Sequence, residues 1–386
     1  MKMLRLPRSK VKIGERLPWN VRDAEEQLLL SRGHIVESEH QLDLLLERGA
    51  FVDVEEVKAV ASQTDATVAP PAARHLNLFG LWDQATLDLQ KLLTGAALPD
   101  DLADRVERFA NHIVELVDSN ADIGIYRCVR QEQAKTFYYG YAHSIHVAML
   151  CLLLTRHLGW PAPRVLCIVK AALTMNTSIL ALQGQMAGQD FPMRDKQRAM
   201  IQDHPQRSHD LLFQAGVSEP EWLTAILQHH EHPDGSGYPT GCTDLSEMAV
   251  LLRLTDVFLA KISPRLLRPA LTTQDAIRQV FRDDHGGTLS TAVIKEFGIY
   301  PPGDFVKLAS GELAVVVQRT DNARAPVVAV ITDKAEHPIA KTIRRDTSQA
   351  EFAITGNASN KTMLARLPPE RLYGFSEMTH APLPPR

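Results

Sequence analysis

Residues 229–239 read HHEHPDGSGYP, and they crowd several chemically able side chains into one short stretch. His229 and His230 follow the apolar run Trp222-Leu223-Thr224-Ala225-Ile226-Leu227. Neighbouring residues on a helix point about 100° apart, so both imidazoles can reach one cleft from its wall. Glu231 adds a carboxylate. Asp234-Gly235-Ser236-Gly237-Tyr238-Pro239 then makes a turn, with glycine at two positions where positive φ is cheap and a proline that stiffens its exit. The same residues also suit a helix end with polar capping groups, and the histidine pair alone does not decide between the two. His143 and His146 open a second interesting stretch, Ala142 to Leu158, whose run Val147-Ala148-Met149-Leu150-Cys151-Leu152-Leu153-Leu154 is apolar most of the way round and predicts a buried helix. Taken alone, His143 there suits a satisfied histidine at a helix end.

The elements that carry these residues are helical. From residue 77 to about 299 nearly every segment repeats its apolar residues at a 3.6 period, which predicts an all-α core. Residues 77–95 place Leu78, Leu81, Trp82, Leu89 and Leu92 on one face, and Leu98 to Val117 continues the pattern. Before this core, residues 1–62 predict a small α/β domain. Its strands are expected at Lys10–Ile13, around Gln27–Leu30 and Ile35–Val36, and at Phe51–Val54, with a helix opening at Ser38-Glu39-His40-Gln41. Residues 63–76, rich in Ala, Thr and Pro, are a predicted linker. After Tyr300-Pro301-Pro302-Gly303 the runs Phe305–Leu308, Leu313–Val317 and Val327–Ile331 predict a β-rich subdomain over 300–378, with Ser310-Gly311 as a hairpin turn. Residues 379–386 form a proline-rich tail.

Composition narrows the class. The chain has 386 residues, 45% hydrophobic and 23% charged, which is ordinary for a globular protein of two or three domains. A net charge of −4 gives no pull toward nucleic acid or acidic membranes. Cys128, Cys151, Cys167 and Cys242 form no CxxC pair and are expected to be reduced thiols. The run Val147–Leu154 is too short to span a bilayer, and the N-terminus has no apolar signal region. A cytoplasmic protein is expected.

The full string HHEHPDGSGYP resembles the GYP half of the HD-GYP family, helical metal-dependent phosphodiesterases that act on the bacterial second messenger cyclic di-GMP. The resemblance implies an HD-type helical bundle. It assigns metal-ligand positions to His143 in Tyr141-Ala142-His143-Ser144, to His204 in Asp203-His204-Pro205, to His229 and His230, and to Asp256 in Leu254-Thr255-Asp256-Val257. It places Arg265 and Arg268 where the family keeps basic residues facing substrate. Asp234, Gly235, Gly237, Tyr238 and Pro239 belong to the loop through which family members are associated with GGDEF-domain cyclases. The small N-terminal domain and the β appendage are similar to those that accompany HD-GYP domains.

One segment departs from the pattern. The family's name-giving His-Asp pair lies in a segment of the form A-x-L-H-D-x-G-K, and this chain reads Ala171-Ala172-Leu173-Thr174-Met175-Asn176-Thr177-Ser178. Thr174, Met175 and Ser178 stand at the His, Asp and Lys positions. A thioether is neutral and soft, so Met175 cannot bridge two hard cations. Thr174 is a poor ligand, and Ser178 offers no positive charge to a phosphate. The segment suits a packed helix instead, with Met as a gap filler. By resemblance one ion, Fe, Mn or Zn, would keep His204, His229 and His230, a workable set with solvent in the fourth position. A pair of metals at the roughly 4 Å spacing of two-metal catalysis is not expected. The reading is therefore a degenerate HD-GYP signalling protein that binds cyclic di-GMP or docks a GGDEF partner with little hydrolysis, and that has no confident catalytic residue. The alternative is a phosphodiesterase working through a residual metal site. A homodimer would suit either.

Overall fold

The computed structural model describes residues 3–11, 17–25, 27–30, 33–34, 36, 42–43, 45–46, 49–54, 56–57, 77–95, 97–131, 133–358 and 368–374. The expected linker, the tail and the expected opening of the N-terminal helix at 38–41 lie outside them. The chain divides into two units, residues 1–75 and 76–386.

In the first unit β1 (Met3–Arg5), β2 (Val21–Arg22), β3 (Leu28–Leu30) and β4 (Phe51–Asp53) form a sheet of order β1-β4-β2-β3 with antiparallel neighbours. Leu6, Trp19, Val21, Leu42, Leu45 and Val52 fill its core. Met3–Arg5 forms a strand that was not expected, Lys10 closes a 3₁₀ turn with Arg8, and residues 12–13 of the strand expected at Lys10–Ile13 lie outside the described residues.

The second unit is mainly helical. Its helices are α1 (Leu78–Leu93), α2 (Leu102–Val129), α3 (Tyr139–His157), α4 (Ala162–Thr174), α5 (Leu180–Gly188), α6 (Asp195–Gln214), α7 (Pro220–Gln228), α8 (Glu247–Ile262), α9 (Thr273–Asp283), α10 (Thr288–Phe297) and α11 (Pro369–Leu372). Helix α3 is the central rod, and its side chains from Ser144 to Thr155 are all buried. A stretch of 22 residues, Thr136–His157, is long and apolar enough to cross a membrane, but 83% of its 18-residue apolar window is buried. That burial makes it a core helix and explains its apolarity on every side. Helix α2 kinks at Asn120, whose extended backbone interrupts the helix while its side-chain oxygen accepts the Ile123 amide at 3.2 Å and so caps the second half. Helix α4 ends at Thr174, one residue earlier than a continuous packed helix through Met175 would, and Met175 is its C-cap.

Five antiparallel strands follow, β5 (Phe305–Leu308), β6 (Leu313–Gln318), β7 (Val327–Thr332), β8 (Pro338–Asp346) and β9 (Ile354–Asn357), in the order β8-β7-β6-β5-β9. Alternate residues of a strand face opposite sides. Leu313, Val315 and Val317 therefore join the helical core with Phe305, Ala329 and Ile331, whereas Ala314, Val316, Val328 and Val330 build a second cluster with Val306 and Leu308. Arg319 bridges sheet and bundle by donating to Asp122 on α2 and to the Glu296 carbonyl on α10.

Because Val315 is fully buried in the shared core, Val315→Ala should lower the stability of the helices as well as of the sheet, by about 2 kcal/mol. Urea unfolding followed by helical circular dichroism tests this, since an unchanged helical midpoint would mean that the sheet folds apart from the bundle.

Candidate metal centre

Three imidazoles meet where the middle of α6 passes the end of α7. One ring nitrogen from each of His204, His229 and His230 lies within 4.8 Å of the others. His204 is carried by α6, His229 caps α7, and His230 follows it. Two backbone carbonyls orient the first two rings. The Nδ1–H of His204 donates to the Ile201 carbonyl at 2.6 Å, and that of His229 to the Ile226 carbonyl at 2.6 Å. Both carbonyls are surplus to their helices. Pro205 sits four residues after Ile201 inside α6 and has no N–H to give it. Ile226 lies in the last turn of α7, whose final carbonyls have no helical partner.

These two hydrogen bonds put the proton of each ring on Nδ1 and leave Nε2 as a bare lone pair. The two Nε2 atoms face each other at 3.1 Å. Two lone pairs at that distance repel unless a proton or a cation lies between them. Burial opposes the proton. It pulls His204 down to about 3, lowers His229, and, with the neighbouring His229, lowers His230 well below the ordinary histidine range. Neutral imidazoles oriented through their second nitrogen are the form that binds a divalent ion. Tetrahedral nitrogen ligands about 2.1 Å from zinc stand about 3.4 Å apart, close to the spacing found. The donor set therefore fits one ion.

His143 and Asp256 lie beside this cluster and pair with each other, Nε2 to Oδ1, at 2.6 Å. Burial pushes the Asp256 carboxyl up, but the bond to His143 and the His230 and His229 rings outweigh it and hold the group well below the carboxylate range. The Asp256 charge also acts on His204. The five expected ligand residues are thus brought into one neighbourhood, as a triad plus a closed pair.

The loop folds back over the triad. Tyr238 stacks on His230 with ring centres 4.6 Å apart, and the Tyr238 amide donates to the His230 carbonyl at 3.2 Å. Gly237 makes that return possible, because a Cβ there would lie 2.4 Å from the Glu231 Cα. Glu231, 1% exposed, organises the loop from inside. Its Oε1 accepts the Thr240 amide and hydroxyl, each at 2.7 Å, and the Gly241 amide at 3.1 Å. Asp234, by contrast, is exposed and holds Ser236 in a local turn. Arg265 donates to the Tyr139 hydroxyl at 2.9 Å, and Tyr139 stacks on His143 with ring centres 5.7 Å apart. Arg268 donates to the Ala260 carbonyl. The hub role of Glu231 and the bridging role of Tyr139 were not legible in the residue pattern. Glu231 stood within the motif but showed no partner, and Tyr139 gave no signal.

Thr174, Met175 and Ser178 face packed protein. Thr174, fully buried, donates to the Lys170 carbonyl at 2.7 Å and accepts the Trp222 indole N–H at 2.9 Å. Met175 is 0% exposed in the main core. Ser178 Oγ bonds the Ser208 hydroxyl at 2.9 Å and the His204 carbonyl at 3.2 Å.

The helical domain is HD-domain-like, and residues 119–284 match the model of the HD domain. Over 185 residues the chain is 29% identical to the cyclic di-GMP phosphodiesterase PA4108 of Pseudomonas aeruginosa, covering 47% of this chain and 45% of that protein. The chain thus spans less than half the length of this relative. Among solved structures it is similar to Bd1817, an HDG"Y"P protein from Bdellovibrio bacteriovorus, with a TM-score of 0.46 and 16% identity over 75% of this chain and 97% of that one. Residues 119–284 thus share the likeness to HD domains, and the likeness to HD-GYP proteins read from the residues stands.

Two outcomes follow from this geometry. Pro205→Ala restores an amide that competes for the Ile201 carbonyl, so the His204 ring loosens and zinc affinity, read by competitive chelator titration, falls about tenfold. Acid acts through the buried neutral rings. An unfolded chain takes up protons near pH 6.5, whereas His204 and His146 in the fold resist to about 3. Stability is therefore full above pH 6.5 and falls as pH drops toward 3, by on the order of 1 kcal/mol per pH unit for each histidine. Urea midpoints of the chelated protein from pH 7 to 4 should show this slope, and it should shrink in His146→Gln.

Proposed function

We propose that this chain is a cyclic di-GMP signalling protein of the HD-GYP type that holds one divalent ion and hydrolyses the nucleotide little or not at all. One observation carries the reading. Where the resemblance puts the His-Asp pair, Thr174 and Met175 are buried and bonded into the core. That wall of the cleft offers neither an imidazole nor a carboxylate, so a second ion has no bridging ligand.

His204, His229 and His230 would hold the ion, with Asp256 supplying nearby negative charge. A divalent ion supplies a Lewis acid that polarises a phosphoryl oxygen when bound. Around it, the residues of the chain bind and orient. Arg265 and Arg268 carry the positive charge that phosphates need, and Tyr139 positions the first of them. The Tyr238 ring covers His230 and shields that side of the cleft from water. Asp234 and Ser236, exposed at the loop tip, form the surface available to a GGDEF-domain partner.

Elemental analysis of protein purified without chelators should give close to one divalent ion per chain, and His229→Ala should bring it close to zero. Calorimetry on the same protein should show cyclic di-GMP binding that weakens at least tenfold in Arg265→Ala, with turnover near background. Two ions per chain together with steady hydrolysis would overturn the reading.

A further inference from the structure

A partly open cavity of about 290 Å³ lies against α1, α2, α3 and the Pro264 turn, within the helical unit and apart from the histidine triad. Its volume falls at the small end of ligand pockets, which run from about 300 Å³ upward. Leu87, Ile145, Ala142 and Tyr138 give it apolar walls, and Arg127 and Arg130 face it with Asp83.

Three residues that wall this cavity each keep a buried polar atom without a partner among the described residues, Trp82 Nε1, Arg127 Nε and His146 Nδ1. Trp82 is 3% exposed and His146 7%. Unmatched buried polar groups are rare in native proteins and call for an explanation. Finding three against one cavity, on three different helices, is hard to ascribe to chance packing. Indole N–H and guanidinium Nε–H are donors only, and a neutral imidazole can donate from Nδ1. Trp82 and Arg127 therefore lack an acceptor, and His146 lacks one in the tautomer that carries its proton on Nδ1. Arg127 already gives one arm to Asp83 at 2.7 Å and to the Phe79 carbonyl at 3.2 Å, so its remaining donor is oriented by a fixed group. Two guanidiniums against one carboxylate leave the cavity positive.

We propose that this cavity is a second ligand site, for a small aromatic carboxylate. The ring would lie among Leu87, Ile145 and Tyr138. The carboxylate would take the Trp82, Arg127 and His146 donors after small side-chain rotations. The proposal is independent of the nucleotide reading, since none of its donors belongs to the metal cluster. It also has a route to that cluster, because Tyr139 lines the cavity while it holds Arg265 and covers His143.

Calorimetric titration of the full chain with 2-naphthoate tests it. Saturable binding of one molecule per chain is expected. Binding should be at least tenfold weaker in Leu87→Trp, which fills the cavity, and in Arg127→Met, and unchanged in His204→Ala. The uncharged 2-naphthamide should bind at least tenfold more weakly. Melting curves verify that each variant folds, and Thr86→Phe replaces Leu87→Trp if that variant does not. Absence of saturable binding would mean that buried water alone serves these donors, and it overturns the proposal. So does binding that survives both the cavity-filling and Arg127 variants, or that is lost only in His204→Ala. Equal affinity for the amide overturns the carboxylate assignment.

Discussion

The centre depends on two carbonyls that their own helices leave over. Had α6 run without Pro205, the Ile201 carbonyl would be spent on an amide, and His204 would have no fixed tautomer. Had α7 continued past Gln228, the Ile226 carbonyl would be spent in the same way. Each interruption costs the helix a hydrogen bond worth roughly 1 kcal/mol and converts it into a constraint on an imidazole. The constraint is what brings two lone pairs to 3.1 Å. Everything around the triad serves that juxtaposition. Gly237 lets the loop return, Glu231 ties it down, and Tyr238 closes over His230.

The opposite wall of the cleft shows the complementary logic. Burying an ionised carboxylate without a cation costs several kcal/mol, and such a group persists only where charge meets it. At Met175, fully buried in the main core, a carboxylate would need an ion or another partner beside it. A hydroxyl is cheaper to bury. Thr174 satisfies its own donor on the Lys170 carbonyl and also supplies the acceptor that the Trp222 indole requires. Lys170 is buried in turn and is matched by Glu107 on α2 and by Glu219, the N-cap of α7. The segment is a finished piece of core rather than a site with parts removed.

How far this was legible varies by element. The 3.6 period located α1, α2 and α3 because burial on one or all faces leaves a regular apolar trace. Strands β5, β6 and β7 were legible for the same reason, since β6 is buried on both faces. Strands β8 and β9 left no such trace. PIAKTIRRD lies at the edge of the sheet and carries charge toward solvent, so its strand character comes from pairing with β7 and not from its own pattern. At the site, adjacency and the glycine turn singled out His229 and His230 but did not decide between a ligand pair and a helix end, and their ligand positions came from the likeness to a family. His204 needed the likeness to a family, because a single histidine on a polar helix carries no signature. Tyr139 meets Arg265 across 126 positions, a distance at which local pattern says nothing.

That last residue also limits how independent the parts of the domain can be. The Tyr139 ring has one face on His143 and its hydroxyl on Arg265, and its side chain forms part of the wall of the neighbouring cavity. The Arg265 guanidinium also lies over that ring, 5.1 Å from its centre. Displacing the ring strips Arg265 of its acceptor and uncovers the buried His143–Asp256 pair at once. Energetic coupling between sites needs an element with two discrete arrangements that both sites bias. An aromatic side chain in staggered rotamers is such an element, because intermediate χ1 values are costly. Arg265, the His143–Asp256 pair and the wall of the cavity therefore all depend on where this one ring is placed.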